Sequence, residues 1–294
     1  VQNISEDTIT QAVLAAMSET TDERLRTVMT SLIQHLHAFA RDVKLTEAEW
    51  LQAVLFLTDV GHITDERRQE FVLLSDTLGL SMLVTTQNNR KPPECTEATV
   101  LGPFFVEGAP EFENGDDVSN GAVGAPCFVN CRVRGLAGEP VADATIDVWQ
   151  SDEAGFYDVQ GTPNASGAIE PQGRGRLRSL PDGRFHFRSI LAEAYPIPYD
   201  GPVGRMLTAL GRHPWRPAHL HFWIDAAGYE PLITHVFRDG DQYLDSDAVF
   251  GVRSTLIADW VRHDPGVAPD GTVMNEPFYT LDYEFVLNPK GGTQ

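Results

Sequence analysis

Apolar residues first recur at intervals of three and four. Leu25, Val28, Leu32, Leu36, Phe39 and Val43 fall on one stripe with polar residues between them. That is the period of an amphipathic helix. Asp22 stands where its N-cap belongs. In "LTEAEWLQAVLFLTDVG", Thr46 and Glu49 have the spacing of a capping box, and Gly61 reads as a C-terminal stop. A further helix is expected to open at Thr64 in "TDERRQEFVLLSDTLGLSMLV". Residues 1–95 thus read as several amphipathic helices and a linker. The polar, proline-bearing stretch "NNRKPPECTEAT" marks the boundary.

Beyond it the period changes. "CFVNCRVRG", "ATIDVWQ", "GRFHFRSI", "AHLHFWID", "PLITHVF" and "FYTLDYEFVL" are short β-rich runs between turn clusters such as "LAGEP" and "LPDGR". Many short strands predict a mainly β fold, a sandwich or barrel, over residues 96–294. The long, proline-rich connection "YPIPYDGPVGRMLTALGRHPWRPAH" is of the length that usually carries function.

Composition narrows the function classes. The 294 residues carry a formal net charge of -20. So acidic a surface repels phosphate backbones and anionic membranes, so neither nucleic acid nor membrane is an expected partner. No window approaches the apolar length of a membrane-spanning helix. "VQNISEDTIT" lacks the basic and apolar parts of a secretory signal. Cys95, Cys127 and Cys131 are few and odd in number, which suits a reducing, cytoplasmic setting. Cys127 and Cys131 lie on one predicted strand, roughly 13 Å apart, too far for a disulfide.

The candidate chemistry starts at "HLH". Side chains two apart on a strand share a face, so His219 and His221 point the same way. That suits two ligands of one metal. His35 and His37 have the same spacing on a predicted helix, where they diverge and cannot share an ion. Further ligands are left open by spacing alone: a distant cysteine and many carboxylates qualify. Tyr157 and Tyr195 are a less common choice. A phenol with a free pKa of about 10 needs a strongly acidic cation to ionise near neutrality, and ferric iron is one.

At these residues a resemblance enters. "LGPFFVEGAP", "VWQSDEAGFYD", "FRSILAEAYPIP", "LGRHPWRPAHLHF" and "THVFRDGDQYLDSDAVFG" resemble, in order, the intradiol ring-cleaving dioxygenases of the catechol 1,2-dioxygenase type. The helical first third is also similar to that family's N-terminal region, so the resemblance covers nearly the whole chain. It implies a β-sandwich catalytic domain over 96–294 and a helical dimerisation region over 1–95. It implies one Fe(III) per subunit, held by Tyr157 and His219 equatorially and by Tyr195 and His221 axially. Tyr195 would leave the metal and take a proton as the diol binds. Arg216 would stand beside the metal and stabilise negative charge. The family usually has glutamine near the position of His235, and this chain departs from it there.

The last motif looks most like the hydroxyquinol branch, which acts on benzene-1,2,4-triol with O2. Asp76 then stands where a carboxylate could meet the extra hydroxyl. Leu73, Val100, Leu101, Gly102 and Phe104 would line the pocket. The resemblance further implies a homodimer through the helices and a phospholipid at that interface. Rival readings are a catechol or chlorocatechol enzyme, a zinc hydrolase, and a non-enzymatic β-sandwich binding module.

Overall fold

The computed structural model describes residues 2–65, 68–161 and 169–291. The chain divides into two compact units, Val1–Asp59 and Val60–Gln294. The first contains α1 (Ile9–Ala16), α2 (Glu23–Asp42) and most of α3 (Glu47–Ile63). Asp22 caps α2 by accepting from the Leu25 N–H at 2.9 Å. Thr46 and Glu49 form the expected capping box: Thr46 N–H donates to Glu49 Oε2 at 2.9 Å, and Glu49 N–H to Thr46 Oγ1 at 3.3 Å. The stripe from Leu25 to Val43 is exposed along its length. His35 and His37 take separate partners, the Ser31 carbonyl and the Thr10 hydroxyl.

Two expected helix boundaries are corrected. Gly61 does not end α3, which continues to Ile63. A Cβ at Gly61 would lie 3.8 Å from the Phe71 ring, an ordinary contact, so neither the space nor the backbone there demands glycine. Thr64 does not open the next helix either. Asp65 closes a turn by accepting from Arg68 N–H at 2.7 Å, and α4 begins only at Glu70 (Glu70–Thr77). Gly79, at φ 74°, separates α4 from α5 (Leu80–Asn88). Only glycine takes that left-handed conformation without strain.

The strands are β1 (Pro126–Gly135), β2 (Thr145–Trp149), β3 (Arg174–Arg178), β4 (Arg184–Ile190), β5 (Tyr195–Pro196), β6 (Trp215–Arg216), β7 (His219–Asp225), β8 (Leu232–Arg238), β9 (Ile257–Ala258), β10 (Trp260–His263), β11 (Gly266–Val267), β12 (Val273–Met274) and β13 (Phe278–Leu287), of which β1, β2, β4, β7, β8 and β13 lie in the β-rich runs read from the sequence. One sheet runs β10-β13-β1-β4 and a second β3-β2-β7-β8-β9. In the first, β1 pairs with β13 in parallel, Cys127 opposite Tyr279. Val129, Cys131, Phe185 and Phe285 from one sheet and Ile146, Val148, Leu220 and Phe222 from the other share one buried core. The fold is therefore a β-sandwich; the three cysteines are free and buried, Cys127 and Cys131 in its core and Cys95 in the linker before β1. The long connection is not structureless: it holds α6 (Pro202–Ala209) and the short β5–β6 ladder.

Candidate metal centre

Alternation along β7 sets the site. Leu220, Phe222 and Ile224 enter the core, so His219 and His221 project from the outer face of their sheet. Strand register extends that face sideways. His221 stands opposite Trp149 on β2 and His235 on β8, and Trp149 stands opposite Arg174 on β3. One row of four strands thus presents Arg174, Trp149, His221 and His235. The Trp149 ring stacks on His221, with centroids 4.6 Å apart.

Two loops bring the tyrosines to this row. Tyr157 follows β2. Tyr195 sits on β5, directly opposite Arg216 on β6, so the short ladder delivers both together. The two tyrosine segments meet at Gly155, where φ is 84° and an added Cβ would come within 2.7 Å of Tyr195 Cβ. Any larger residue there would push the segments apart.

The donor atoms converge. Tyr157 Oη is 2.9 Å from His221 Nε2 and 3.4 Å from Tyr195 Oη. His219 Nε2 and His221 Nε2 are 3.1 Å apart. All four residues are buried. His219 Nδ1 lies 2.7 Å from the Pro217 carbonyl, which accepts its proton. The Nε2 lone pair is then free to face the centre, the usual arrangement for a metal-binding imidazole. Burial, helped by the Arg216 charge, pushes the His219 pKa down to about 3. Burial also holds His221 well below the ordinary histidine value, with the neighbouring His235 and His219 adding to it. Both rings are therefore neutral ligands at neutral pH. Burial drives the Tyr157 phenol well above its ordinary value, and Tyr195 reinforces this. A donor set of two neutral imidazoles and two buried phenols fits a strongly Lewis-acidic cation, which alone lets such phenols ionise.

Residues 100–289 match the family model described as dioxygenase, and residues 22–96 match that of the catechol dioxygenase N terminus. The 6-chlorohydroxyquinol 1,2-dioxygenase of Cupriavidus pinatubonensis is 57% identical, over 98% of this chain and 99% of that protein. The hydroxyquinol 1,2-dioxygenase of Nocardioides simplex is 48% identical, over 98% and 97% respectively. The crystal structure of hydroxyquinol 1,2-dioxygenase from Pseudomonas putida superposes with a TM-score of 0.88 at 43% identity, covering 97% of this chain and 99% of that one. The chain belongs to the intradiol ring-cleaving dioxygenase family. As an intradiol dioxygenase it is an enzyme whose family implies non-haem iron, and the zinc-hydrolase and carrier readings fall away.

The remaining residues of this dioxygenase surround the centre. Arg216 Nη1 is 3.3 Å from His219 Nε2, and Arg216 is buried. Burial opposes the guanidinium charge, but Asp247 and Tyr195 outweigh it and hold the group protonated. His235 is fully buried; its Nδ1 contacts the Thr99 hydroxyl, while its Nε2 has no partner. Gly102, at φ 78°, brings backbone against His221: an added Cβ would be 3.3 Å from His221 Cε1. Leu73 and Phe104 share the wall of a cavity of about 630 Å³ with Gly155 and Ile197, and the Phe104 ring stacks on Tyr157 at 4.5 Å. Val100 is buried and Leu101 half-buried, and neither lines that cavity. Asp76 is buried within electrostatic reach of Arg216 and Asp247. Burial raises its pKa, against a hydrogen bond from Ser81 and the Arg216 charge.

Sequence reasoning missed three residues here. Asp247 receives Arg216 Nε at 3.0 Å and Nη2 at 3.3 Å, and also the Gly251 N–H at 2.9 Å. Thr99 orients His235, and Trp149 packs on His221. Only the strand alternation of "TIDVWQ" could have placed Trp149 on the outer face. Nothing in the sequence links Asp247 or Thr99 to their partners.

Proposed function

We propose that this chain is a hydroxyquinol 1,2-dioxygenase, which opens benzene-1,2,4-triol with O2 between its adjacent hydroxyl-bearing carbons. The product would be 3-hydroxy-cis,cis-muconate, a tautomer of maleylacetate. The observation that carries this reading is the convergence of Tyr157, Tyr195, His219 and His221 in one buried centre beside Arg216. Those four would hold Fe(III), one per subunit. Bound there, ferric iron supplies a Lewis acid strong enough to ionise phenols and to take up both oxygens of an ortho-diol.

The protein's own groups do the rest. Tyr195 Oη accepts a proton from the entering diol, as a general base. Arg216, locked on Asp247, keeps a permanent positive charge where negative charge develops and has no proton to give up at neutral pH. Thr99 Oγ1 and His235 Nδ1 are hydrogen-bonded, and in the tautomer where the hydroxyl donates, His235 Nε2 would carry the ring proton and offer it to an oxygen of the bound diol. A glutamine amide at that position would be a donor too, so in that tautomer His235 offers the same kind of contact as the family's usual residue. Asp76 accepts from the third hydroxyl, Leu73 and Phe104 enclose the ring from the cavity wall, and Gly102 lies against His221. The relatives named for hydroxyquinol and 6-chlorohydroxyquinol support a triol over a simple catechol.

The exposed apolar stripe of α2 supports a homodimer through the helical region, with room in this reading for a phospholipid on that face. Three free cysteines suit the cytoplasm, and among the described residues no helix is long and apolar enough to cross a membrane.

The test is a visible absorption scan of the iron-loaded protein, before and after anaerobic addition of hydroxyquinol. A broad tyrosinate band that shifts on addition supports the assignment. A colourless iron-loaded protein with no shift sinks it. Turnover of hydroxyquinol, 6-chlorohydroxyquinol and catechol then ranks the substrates.

A further inference from the structure

Asp158 follows Tyr157 directly, and its carboxylate is buried. It receives the Arg174 guanidinium through two hydrogen bonds, from Nε to Oδ2 at 2.6 Å and from Nη2 to Oδ1. The N–H groups of Val159 and Gln172 also donate to it, at 2.8 Å and 3.2 Å. The same Arg174 Nη2 donates to the Phe104 carbonyl at 3.0 Å. Phe104 is the residue whose ring stacks on Tyr157, at 23° between planes. The backbone beyond the tyrosine is closed by a turn, in which Tyr157 N–H donates to Gln160 Oε1 at 2.8 Å. Across the sheet, Arg174 stands opposite Trp149, which stands opposite His221.

One buried guanidinium is therefore bonded to the neighbour of one metal-facing residue and to the carbonyl of the ring that covers it. It also shares a strand row with a second metal-facing residue. A buried ion pair is a poor source of net stability, because desolvation offsets its attraction. Its fork geometry, however, fixes direction as well as distance.

We propose that Arg174 and Asp158 are positioning residues for Tyr157: their buried, two-point pair fixes the 157–160 turn against β3, and through the Phe104 carbonyl it fixes the ring stacked on the phenol. This rests on the reading of Tyr157 as an iron ligand. Neither residue reaches the reacting atoms; they act through the orientation of the Tyr157 oxygen.

The experiment compares wild type, Asp158→Asn and Arg174→Lys, each loaded with ferric iron. It reads the visible band, iron retention against a chelator, kcat and KM for hydroxyquinol, and the thermal midpoint. Asp158→Asn keeps the shape but loses the ion pair, and Arg174→Lys keeps the charge but loses the fork. The expected result is a shifted or weakened band with faster iron loss. Turnover should fall roughly tenfold to a hundredfold, as a displacement on the order of 1 Å produces, with KM changed by less than about twofold. A folded variant with the wild-type band and kcat overturns the proposal, whatever its thermal midpoint, and leaves the pair a structural brace. If Asp158→Asn does not fold, Arg174→Lys decides by the same criterion. If wild type itself shows no band, the ligand reading fails and this one with it; a wild-type band retained by both variants removes only the positioning role.

Discussion

Arg216 shows how much chemistry one side chain draws from its neighbours. Asp247 neutralises it without ending its positive field, and burial keeps water from screening it. Arg216→Lys keeps a charge but loses the fork that Asp247 receives. Iron content is expected to stay at the wild-type level while kcat falls by about tenfold or more, the scale of losing one preorganised electrostatic contact. Unchanged kcat would remove Arg216 from the reaction. Asp76 is argued the same way. If it accepts from the third hydroxyl, Asp76→Leu should lower kcat/KM for hydroxyquinol roughly ten- to a hundredfold relative to catechol, the worth of one hydrogen bond to a charged group. An unchanged ratio of the two substrates would show that the carboxylate does not read that hydroxyl.

The elements carry the precision of the site. Gly102 lies where a loop passes over His221, with its backbone at positive φ. Gly102→Ala introduces about 1–2 kcal/mol of backbone strain and a methyl group against the imidazole. Faster loss of iron to a chelator and a lower thermal midpoint are expected; wild-type values of both would mean that the loop has room. This scale also shows what the sequence reveals. The capped helix α2 and the alternating strands β1, β7 and β8 are legible because their neighbours in sequence share one environment. The strand "RGRLR" is hidden, since Arg174, Arg176 and Arg178 on its outer face look like a solvated loop. The helix α6 is masked by the prolines around it. His219 and His221 can be read from a two-residue period, whereas the tyrosines become convincing only through resemblance to a family. Asp247 and Arg216, and Thr99 and His235, are joined only by the folded chain. No local pattern encodes such pairs.

At the scale of the whole molecule, the buried histidines couple stability to acidity. His219 has a folded pKa of about 3 against an ordinary 6.5, and His221 and His235 are also held well below that value by burial. Below pH 6.5 the unfolded chain binds protons that the folded, iron-free protein refuses. Stability of the iron-free protein therefore falls as pH drops below 6.5, because each of these rings is protonated more readily in the unfolded chain. Asp76 works in the opposite direction, because its raised pKa lets the folded state take its proton first. Denaturant titrations of the iron-free protein at pH 7.5, 6, 5 and 4 check the sign; a flat profile would mean that the three rings are not held neutral. The exposed stripe of α2 belongs to this scale too. If that stripe is the proposed dimer interface, Leu32→Glu with Leu36→Glu should halve the mass seen in sedimentation, and a mass unchanged from wild type would remove this face from the proposal.

The parallel pairing of β1 with β13 has a consequence in time. The last long strand lies inside its sheet, between β10 and β1, and not at an edge. Cys127 therefore waits for Tyr279, a partner 152 positions later (279 − 127). At a synthesis rate of about 5–20 residues per second, that is roughly 8–30 seconds on the ribosome with one side of β1 unpaired. The sandwich cannot close, and its inner face stays open to chaperones and to other nascent chains, until the final strand has emerged.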